Sequence, residues 1–185
     1  MGAGMRASTW RGRVRAAALV LATCAGLAGQ AGAQADGGSR FGVAAGLGGG
    51  YFQGDGSGDG EGLAAMAEVS YRSGPHLFSA RGALIAEILG DGMVDFGLLY
   101  GRSREGGASH LSASAGLGLV VFQDCPIGLA TGLCRSEFGL GLPLALRASW
   151  RPSRFVGFGI QALANIKPSR SFVAGALFVE AGRLR

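Results

Sequence analysis

Few residues in this sequence have the types and spacing that could do chemistry. His110 and Ser112 lie two positions apart and form the only arrangement that hints at catalysis. Cys125 and Cys134 enclose eight residues in one loop, and in an oxidising compartment such a pair forms a disulfide. That bond is expected to stabilise the loop by about 2–3 kcal/mol on a loop-entropy model. A zinc site is not expected, because no further metal ligands lie near the two cysteines.

The stretch from Glu137 to Arg151, EFGLGLPLALRASWR, indicates which kind of element positions these residues. Every even-numbered residue in it is apolar, and every odd-numbered residue is small, polar or charged. A period of two is that of a β-strand with one apolar face. The strand is long enough to cross a bilayer, which needs about 9–11 tilted residues. Pro143 removes a ladder donor from this strand, and a bulge at Leu142-Pro143 would absorb it.

The same alternation recurs along the chain and predicts an all-β fold, an eight-stranded antiparallel up-and-down transmembrane β-barrel. Beyond the first 35 residues no continuous apolar run reaches 18 residues, so helical membrane spans are not expected. The faces of the last segment cannot be told apart, since large apolar residues lie on both. The predicted segments are Phe41 to Phe52, Leu63 to Arg72, His76 to Ile88, Met93 to Arg102, His110 to Phe122, Glu137 to Arg151, Phe155 to Ile166 and Ser171 to Arg183.

The face without large apolar side chains is predicted to line the barrel. Eight strands leave an interior just wide enough to fill with side chains. Enclosed charges must pair or be hydrated, so we expect an internal network of ion pairs and water. The alternation also turns His110 and Ser112 inward, which favours a polar pair in the lumen over a catalytic one. The charged residues predicted in the lumen are Glu68, Arg72, Arg81, Glu87, Asp95, Glu137 and Arg147.

The order of the strands predicts an orientation. An even strand number returns the carboxyl terminus to the side of the amino terminus, the periplasm. Tyr71, Tyr100 and Trp150 then fall at that same end and predict an interfacial aromatic girdle. The acidic loop after Phe52 and the cysteine loop fall at the outer end.

The first 35 residues have the layout of a secretory signal peptide. A basic segment ends at Arg15, an apolar segment follows, and small-residue cleavage sites end at Ala33 and Ala35. This leaves 36–185 as the barrel domain. The apolar run is too short for a transmembrane anchor. Lipidation at Cys24 is a minor alternative, because Thr23 departs from the residue expected before a lipoprotein cysteine.

The charge of the chain gives no reason to expect a nucleic-acid partner. The formal net charge is +5, but four of the 17 basic residues lie in the first 15 positions. Without them, 13 basic residues face 12 acidic ones. The sequence indicates no cofactor, no metal and no specific ligand.

The architecture of residues 41–185 resembles that of the small bacterial outer-membrane β-barrel proteins, and the pattern GLLYGRS…HLSASAGLGLV…GLPLALRASWRPSRFVGFG resembles a group of exported barrels of this type. The resemblance implies the outer membrane of a Gram-negative envelope, with outer-membrane lipid and the barrel assembly machinery as partners. His110-Leu111-Ser112 also resembles the His-x-Ser motif of lipid A deacylases, whose acidic partner would be Asp124 here. Ala113 departs from the Asn of that motif.

The predicted function is therefore that of a non-catalytic outer-membrane barrel, with a structural or adhesive role through its outer loops. One alternative is a lipid A deacylase-like hydrolase in the outer membrane. The other is a soluble, lipocalin-like barrel in the periplasm that holds a ligand. That alternative requires the large apolar side chains to point inward.

Overall fold

The computed structural model describes residues 39–53, 60–87, 92–124, 135–167 and 170–184. For Ser39, Asp124 and Arg135 it describes the backbone alone. The predicted signal peptide and the predicted disulfide between Cys125 and Cys134 lie outside the described residues and stay predictions. Within the described ranges, no helix is long and apolar enough to cross a membrane.

The strands join into a closed antiparallel barrel in chain order, with β8 paired to β1. The predicted fold class is confirmed. We call the end where β1 begins and β8 ends the entry end, and the opposite end the far end. The strands are β1 (Ser39–Phe52), β2 (Gly60–Ser73), β3 (His76–Ala86), β4 (Gly92–Gly106), β5 (Ser109–Asp124), β6 (Arg135–Trp150), β7 (Val156–Ile166) and β8 (Phe172–Gly182).

The register of the strands sets the shape of the barrel. A line of paired residues that starts at Phe41 crosses all eight strands and returns to β1 at Tyr51, ten residues further along. This stagger means that the strands tilt relative to the barrel axis. A line of register partners therefore climbs from the entry end toward the far end as it passes around the wall.

The large apolar side chains cover the outside of the barrel. The alternation predicted this face correctly for the first seven strands, as shown by the exposures of Leu47 (71%), Leu117 (76%) and Leu140 (78%). The structure also orients β8, whose faces the sequence left open. Phe178 is buried in the lumen, whereas Leu177 is 70% exposed on the outer wall.

An apolar cluster fills much of the far half of the lumen. It combines large side chains with many alanines, and most of the buried polar side chains lie in the middle and the entry half. Its largest members are Phe52, Met66, Ile85, Met93, Leu99, Phe122, Leu163, Phe172 and Phe178.

Pro143 is accommodated without a bulge. The register between β5 and β6 is the same on both sides of it, from Ala115↔Leu144 to Gly118↔Gly141, so no extra residue is inserted. The ladder simply lacks pairs at Gly116 and Leu117, opposite the proline. The sequence-based expectation of a bulge was wrong, because a missing donor can be tolerated by interrupting one ladder locally.

Candidate functional site

The polar lumen is the candidate functional site, and Arg147 on β6 forms its centre. Its guanidinium contacts Glu68 of β2 at 3.0 Å and Glu180 of β8 at 3.1 Å, and all three side chains are buried. Gln161 donates a hydrogen bond to Glu68 at 3.1 Å, and Ser149 donates one to Glu180 at 2.9 Å. Both carboxylates therefore have charged and neutral partners, as enclosed charges require.

The network continues to the entry end through Arg151. Its Nε atom lies 2.6 Å from Glu180 Oε1, and its Nη1 atom lies 3.1 Å from Glu105 Oε1. Glu105 in turn binds Arg72 at 2.6 Å and also Arg40. Alternating charges thus link β1, β2, β4, β6 and β8 across the mouth of the barrel.

Glu105 lies five residues beyond Tyr100, outside the part of β4 that would span a membrane. Burial alone would raise the pKa of its carboxyl group. The hydrogen bond from Arg40 and the charges of Arg72, Arg40 and Arg151 outweigh burial and lower that pKa below its ordinary value. Glu105 is therefore held as a carboxylate among three cations.

The residues after β8 close the entry end. Gly182 has a φ of +141°, in a region that favours glycine, and the chain turns inward there. The amides of Arg183 and Leu184 then donate hydrogen bonds to the carbonyl groups of Phe41 and Arg154. Leu184 is only 3% exposed, and its own carbonyl accepts hydrogen bonds from Arg72 (2.8 Å) and Arg151 (3.2 Å).

A second, separate ion pair lies in the middle of the lumen. Arg81 on β3 and Asp95 on β4 contact at 2.5 Å, and both side chains are fully buried. Asn165 donates a hydrogen bond to Asp95 at 2.7 Å, and Arg81 donates one to the carbonyl of Leu144 at 3.0 Å.

The far end holds a smaller group of charges. Lys167 contacts Glu137 at 2.9 Å. Lys167 and Arg170 also approach the ring of Phe122, at 5.5 and 5.3 Å from its centroid, within cation–π distance. Glu87 lies just past β3 beside Gly60 and is partly exposed.

The structure thus brings six of the residues predicted for the lumen into ion pairs, namely Glu68, Arg72, Arg81, Asp95, Glu137 and Arg147. The residues that sequence reasoning missed as ion-pair partners are Arg40, Glu105, Arg151, Lys167 and Glu180. Glu180 lies on the strand whose two faces the sequence does not distinguish, and Glu105 lies between two predicted strands, beyond the predicted end of the fourth one at Arg102. An acidic residue at position 180, on the same face as Phe172 and Phe178, was the available signal for orienting β8.

The three residues considered for catalysis are not brought together. His110 Nδ1 lies 3.5 Å from the hydroxyl of Ser149, not of Ser112. Asp124 is at the far end of β5 and His110 near its entry end, so at about 3.3 Å per residue they are separated by about 45 Å. The assignment of Asp124 as an acidic partner of His110 is therefore wrong, since one extended strand cannot fold back on itself.

The three aromatic residues predicted as a girdle lie on the outer wall, Tyr71 and Trp150 near the entry end and Tyr100 closer to the middle of β4. Tyr71, Tyr100 and Trp150 are 46%, 48% and 50% exposed. Tyr100 packs beside Phe78 with ring centroids 5.2 Å apart, and Trp150 meets Phe158 edge-on at 5.0 Å. Their role at a membrane surface stays a prediction.

No protein-family model matches the sequence, and no curated protein matches it. Solved structures do match the fold. Neisserial surface protein A is 13% identical, with a TM-score of 0.67 over 78% of this chain and 99% of that one.

Two further barrels align over the same share of this chain. Ail of Yersinia pestis is 12% identical (TM-score 0.58, 98% of that chain). The N-terminal β-barrel domain of OprF from Pseudomonas aeruginosa is 10% identical (TM-score 0.54, 97% of that chain). The chain therefore has the fold of the small outer-membrane β-barrel proteins.

Proposed function

We propose that this protein is an exported outer-membrane β-barrel that performs no catalysis and acts in a structural or adhesive role through its far-end loops. The observation that carries the proposal is the distribution of side chains. Large apolar residues face outward around the closed wall, whereas the charges are buried inside in ion pairs.

This distribution favours a membrane over water. In lipid, every backbone polar group must be satisfied within the protein, which a closed barrel achieves. An outer wall bearing Leu98 at 71% and Leu177 at 70% exposure would be costly in water. A soluble, ligand-holding barrel would need these side chains inside, so the structure argues against that alternative.

The polar lumen supports a closed, filled barrel better than an enzyme. The deacylase resemblance would employ an acidic partner, but Asp124 lies at the opposite end of β5 from His110. Ser112 is in register with Arg147, and His110 with Ser149. Replacing Ser112 with Ala should therefore leave the acylation of lipid A unchanged. Loss of deacylation in the S112A variant would favour the enzyme instead.

The connections at the far end are the proposed point of contact with the surroundings. They follow β1, β3, β5 and β7, and include the acidic loop after Phe52 and the cysteine loop. Ail, a barrel of the same fold, was solved in complex with the heparin analogue sucrose octasulfate. That complex supports ligand recognition as a role compatible with this architecture.

Migration on an SDS gel tests the proposal most simply. Envelope membranes from cells that produce the protein are divided, and one half is boiled before electrophoresis. We expect the unboiled protein to stay folded and migrate differently from the boiled one. Urea-unfolded protein serves as the control and should migrate like the boiled sample. A protein found in the soluble periplasmic fraction, with no shift, would overturn the proposal.

Replacing residues 54–59 with a Gly-Ser segment of equal length tests the role of the loops. The variant should keep the migration shift but lose attachment of the cells to surfaces that they otherwise bind. Unchanged attachment after replacing this segment and, separately, residues 126–133 would contradict an adhesive role.

A further inference from the structure

An open groove of about 1050 Å³ crosses the outer wall of the barrel from β4 to β1. Its floor is the backbone of one line of register partners, which climbs from the entry end toward the middle of the wall. The side chains of these residues, where they have one, point into the lumen, so the floor presents little but main chain. The floor residues are Ser103, Ser112, Arg147, Gln161, Ala176 and Gly48.

Two rows of outward-facing residues form the walls of the groove. One row contains the larger apolar side chains, including Leu111, Ile160 and Leu177. The other row contains Ala162 and Gly175, and a Cβ added at Gly175 would meet nothing within 4 Å. These small residues, beside the row of larger ones, give the groove its depth.

The groove begins at two arginines. Arg102 and Arg104 of β4 head the two rows, and both are exposed. Among the described residues neither has an ion-pair partner, whereas Arg72, Arg147 and Arg151 are all paired. Both arginines fall within the last five residues of β4, which places this end of the groove near the entry end.

We propose that the groove binds an anionic phospholipid, with the phosphate between Arg102 and Arg104 and an acyl chain along the apolar part. This inference rests on the membrane placement proposed above. Two arginines two positions apart on a strand lie on the same face about 6–7 Å apart. Guanidinium groups bind phosphate oxygens through paired hydrogen bonds.

The apolar part of the groove suits an acyl chain. From Leu111 on β5 to Leu47 on β1 it crosses four strand-to-strand spacings, or about 19 Å, and rises obliquely from the interface. The hydrocarbon core of one leaflet is about 15 Å thick, so an oblique path of this length stays within the leaflet. Its opening to the side lets a lipid enter from the bilayer, without passing through the closed wall.

Native mass spectrometry of the folded full chain in detergent micelles tests this proposal. Phosphatidylglycerol and phosphatidylcholine with identical acyl chains are the probes. The double variant Arg102→Gln, Arg104→Gln should weaken binding of phosphatidylglycerol by about 25-fold, at about fivefold for each arginine near an anionic surface. Arg154→Gln is the matched control, because Arg154 is exposed at the same end but does not line the groove. It should change the affinity less than twofold.

A second variant tests the apolar part. Ala162→Trp fills the groove on the outer wall and should reduce binding of phosphatidylglycerol while leaving the arginines in place. The proposal would be overturned if Arg154→Gln weakened phosphatidylglycerol binding as much as the double variant does. It would also be overturned if the two lipids bound equally well, or if Ala162→Trp left binding unchanged. Each sample is also run unboiled on an SDS gel. Failure of the native chain to show folded migration there would count against the proposed membrane barrel, whereas folded protein that does not discriminate between the lipids would count against the groove alone.

Discussion

The buried pair of Arg81 and Asp95 offers the sharpest prediction of stability. Asp95 is the carboxylate that Arg81 contacts, and both side chains are fully buried at 2.5 Å separation. Substituting Asp95→Asn preserves the shape of the side chain but leaves the Arg81 cation without a counter-charge. Removing one partner of a buried pair costs about 3–5 kcal/mol, and we expect a destabilisation in that range.

Glu68 provides the matched comparison. Arg147, its partner, also contacts Glu180 at 3.1 Å, so Glu68→Gln leaves Arg147 with one carboxylate. The loss should be that of a hydrogen bond to a charged group, about 1.5–3 kcal/mol. We therefore expect Asp95→Asn to destabilise the protein more than Glu68→Gln. Both acidic side chains are buried, so the difference comes from the carboxylates that remain, none beside Arg81 and one beside Arg147.

Equilibrium unfolding in urea from lipid vesicles measures both variants. The double variant Arg81→Met, Asp95→Leu should be more stable than Asp95→Asn alone, because replacing a whole buried pair by apolar side chains is often neutral. If Asp95→Asn destabilised the protein no more than Glu68→Gln, an unpaired buried cation could not be the cause of the loss. A double variant that lost at least as much stability as Asp95→Asn would contradict the same cause.

Three further predictions concern the wall and the entry end. Leu177→Arg, at the centre of β8 on the outer wall, should destabilise the folded barrel in vesicles by about 2–4 kcal/mol if it faces lipid, and an unchanged urea midpoint would contradict that facing. Gly116→Val should prevent the migration shift of the folded barrel, because a Cβ there collides with the carbonyl oxygen of Leu98. Gly175→Val is the control and should keep the shift, because the space around Gly175 is open. Equal shifts in the two variants would contradict the close approach of β5 to β4. Glu105 has a lowered pKa in the fold, so its contribution to stability is present above the ordinary value of 4.5 and is lost as the pH falls through the folded-state pKa. The difference in unfolding free energy between the native chain and Glu105→Gln should therefore shrink when urea titrations are repeated from pH 7 to pH 3, and a constant difference would contradict the contacts drawn for this carboxylate.

The outward and inward faces of most strands could be predicted from the sequence because the side-chain period of a strand is two. In β6, for example, Leu140 and Leu146 point outward and Arg147 points inward, as the alternation requires. The same argument fails for β8. Phe178 fills the apolar part of the lumen while Leu177 faces outward, so hydrophobicity alone gives no contrast between the two faces.

The pairing of charges could not be predicted, because it depends on register and stagger. Arg147 and Glu68 are 79 residues apart in the chain, and neither strand specifies on its own which carboxylate lies opposite. The contact of His110 with Ser149 likewise arises from the pairing of β5 with β6. Spacing along the sequence instead suggests Ser112 as the partner of His110. Ser112 lies on the same strand as His110 but pairs across the ladder with Arg147.

Fluorescence of Trp150 in brominated lipid vesicles tests directly whether the outward apolar wall of the barrel is embedded in lipid. The sequence has two tryptophans, and the other, Trp10, belongs to the predicted signal peptide. The chain from Asp36 onward, refolded into vesicles, therefore reports on Trp150 alone, which is 50% exposed on the outer wall near the entry end. We expect strong quenching by phospholipids brominated near the headgroup and weak quenching by aqueous acrylamide. Emission insensitive to brominated lipid but quenched by acrylamide would contradict a wall embedded in lipid.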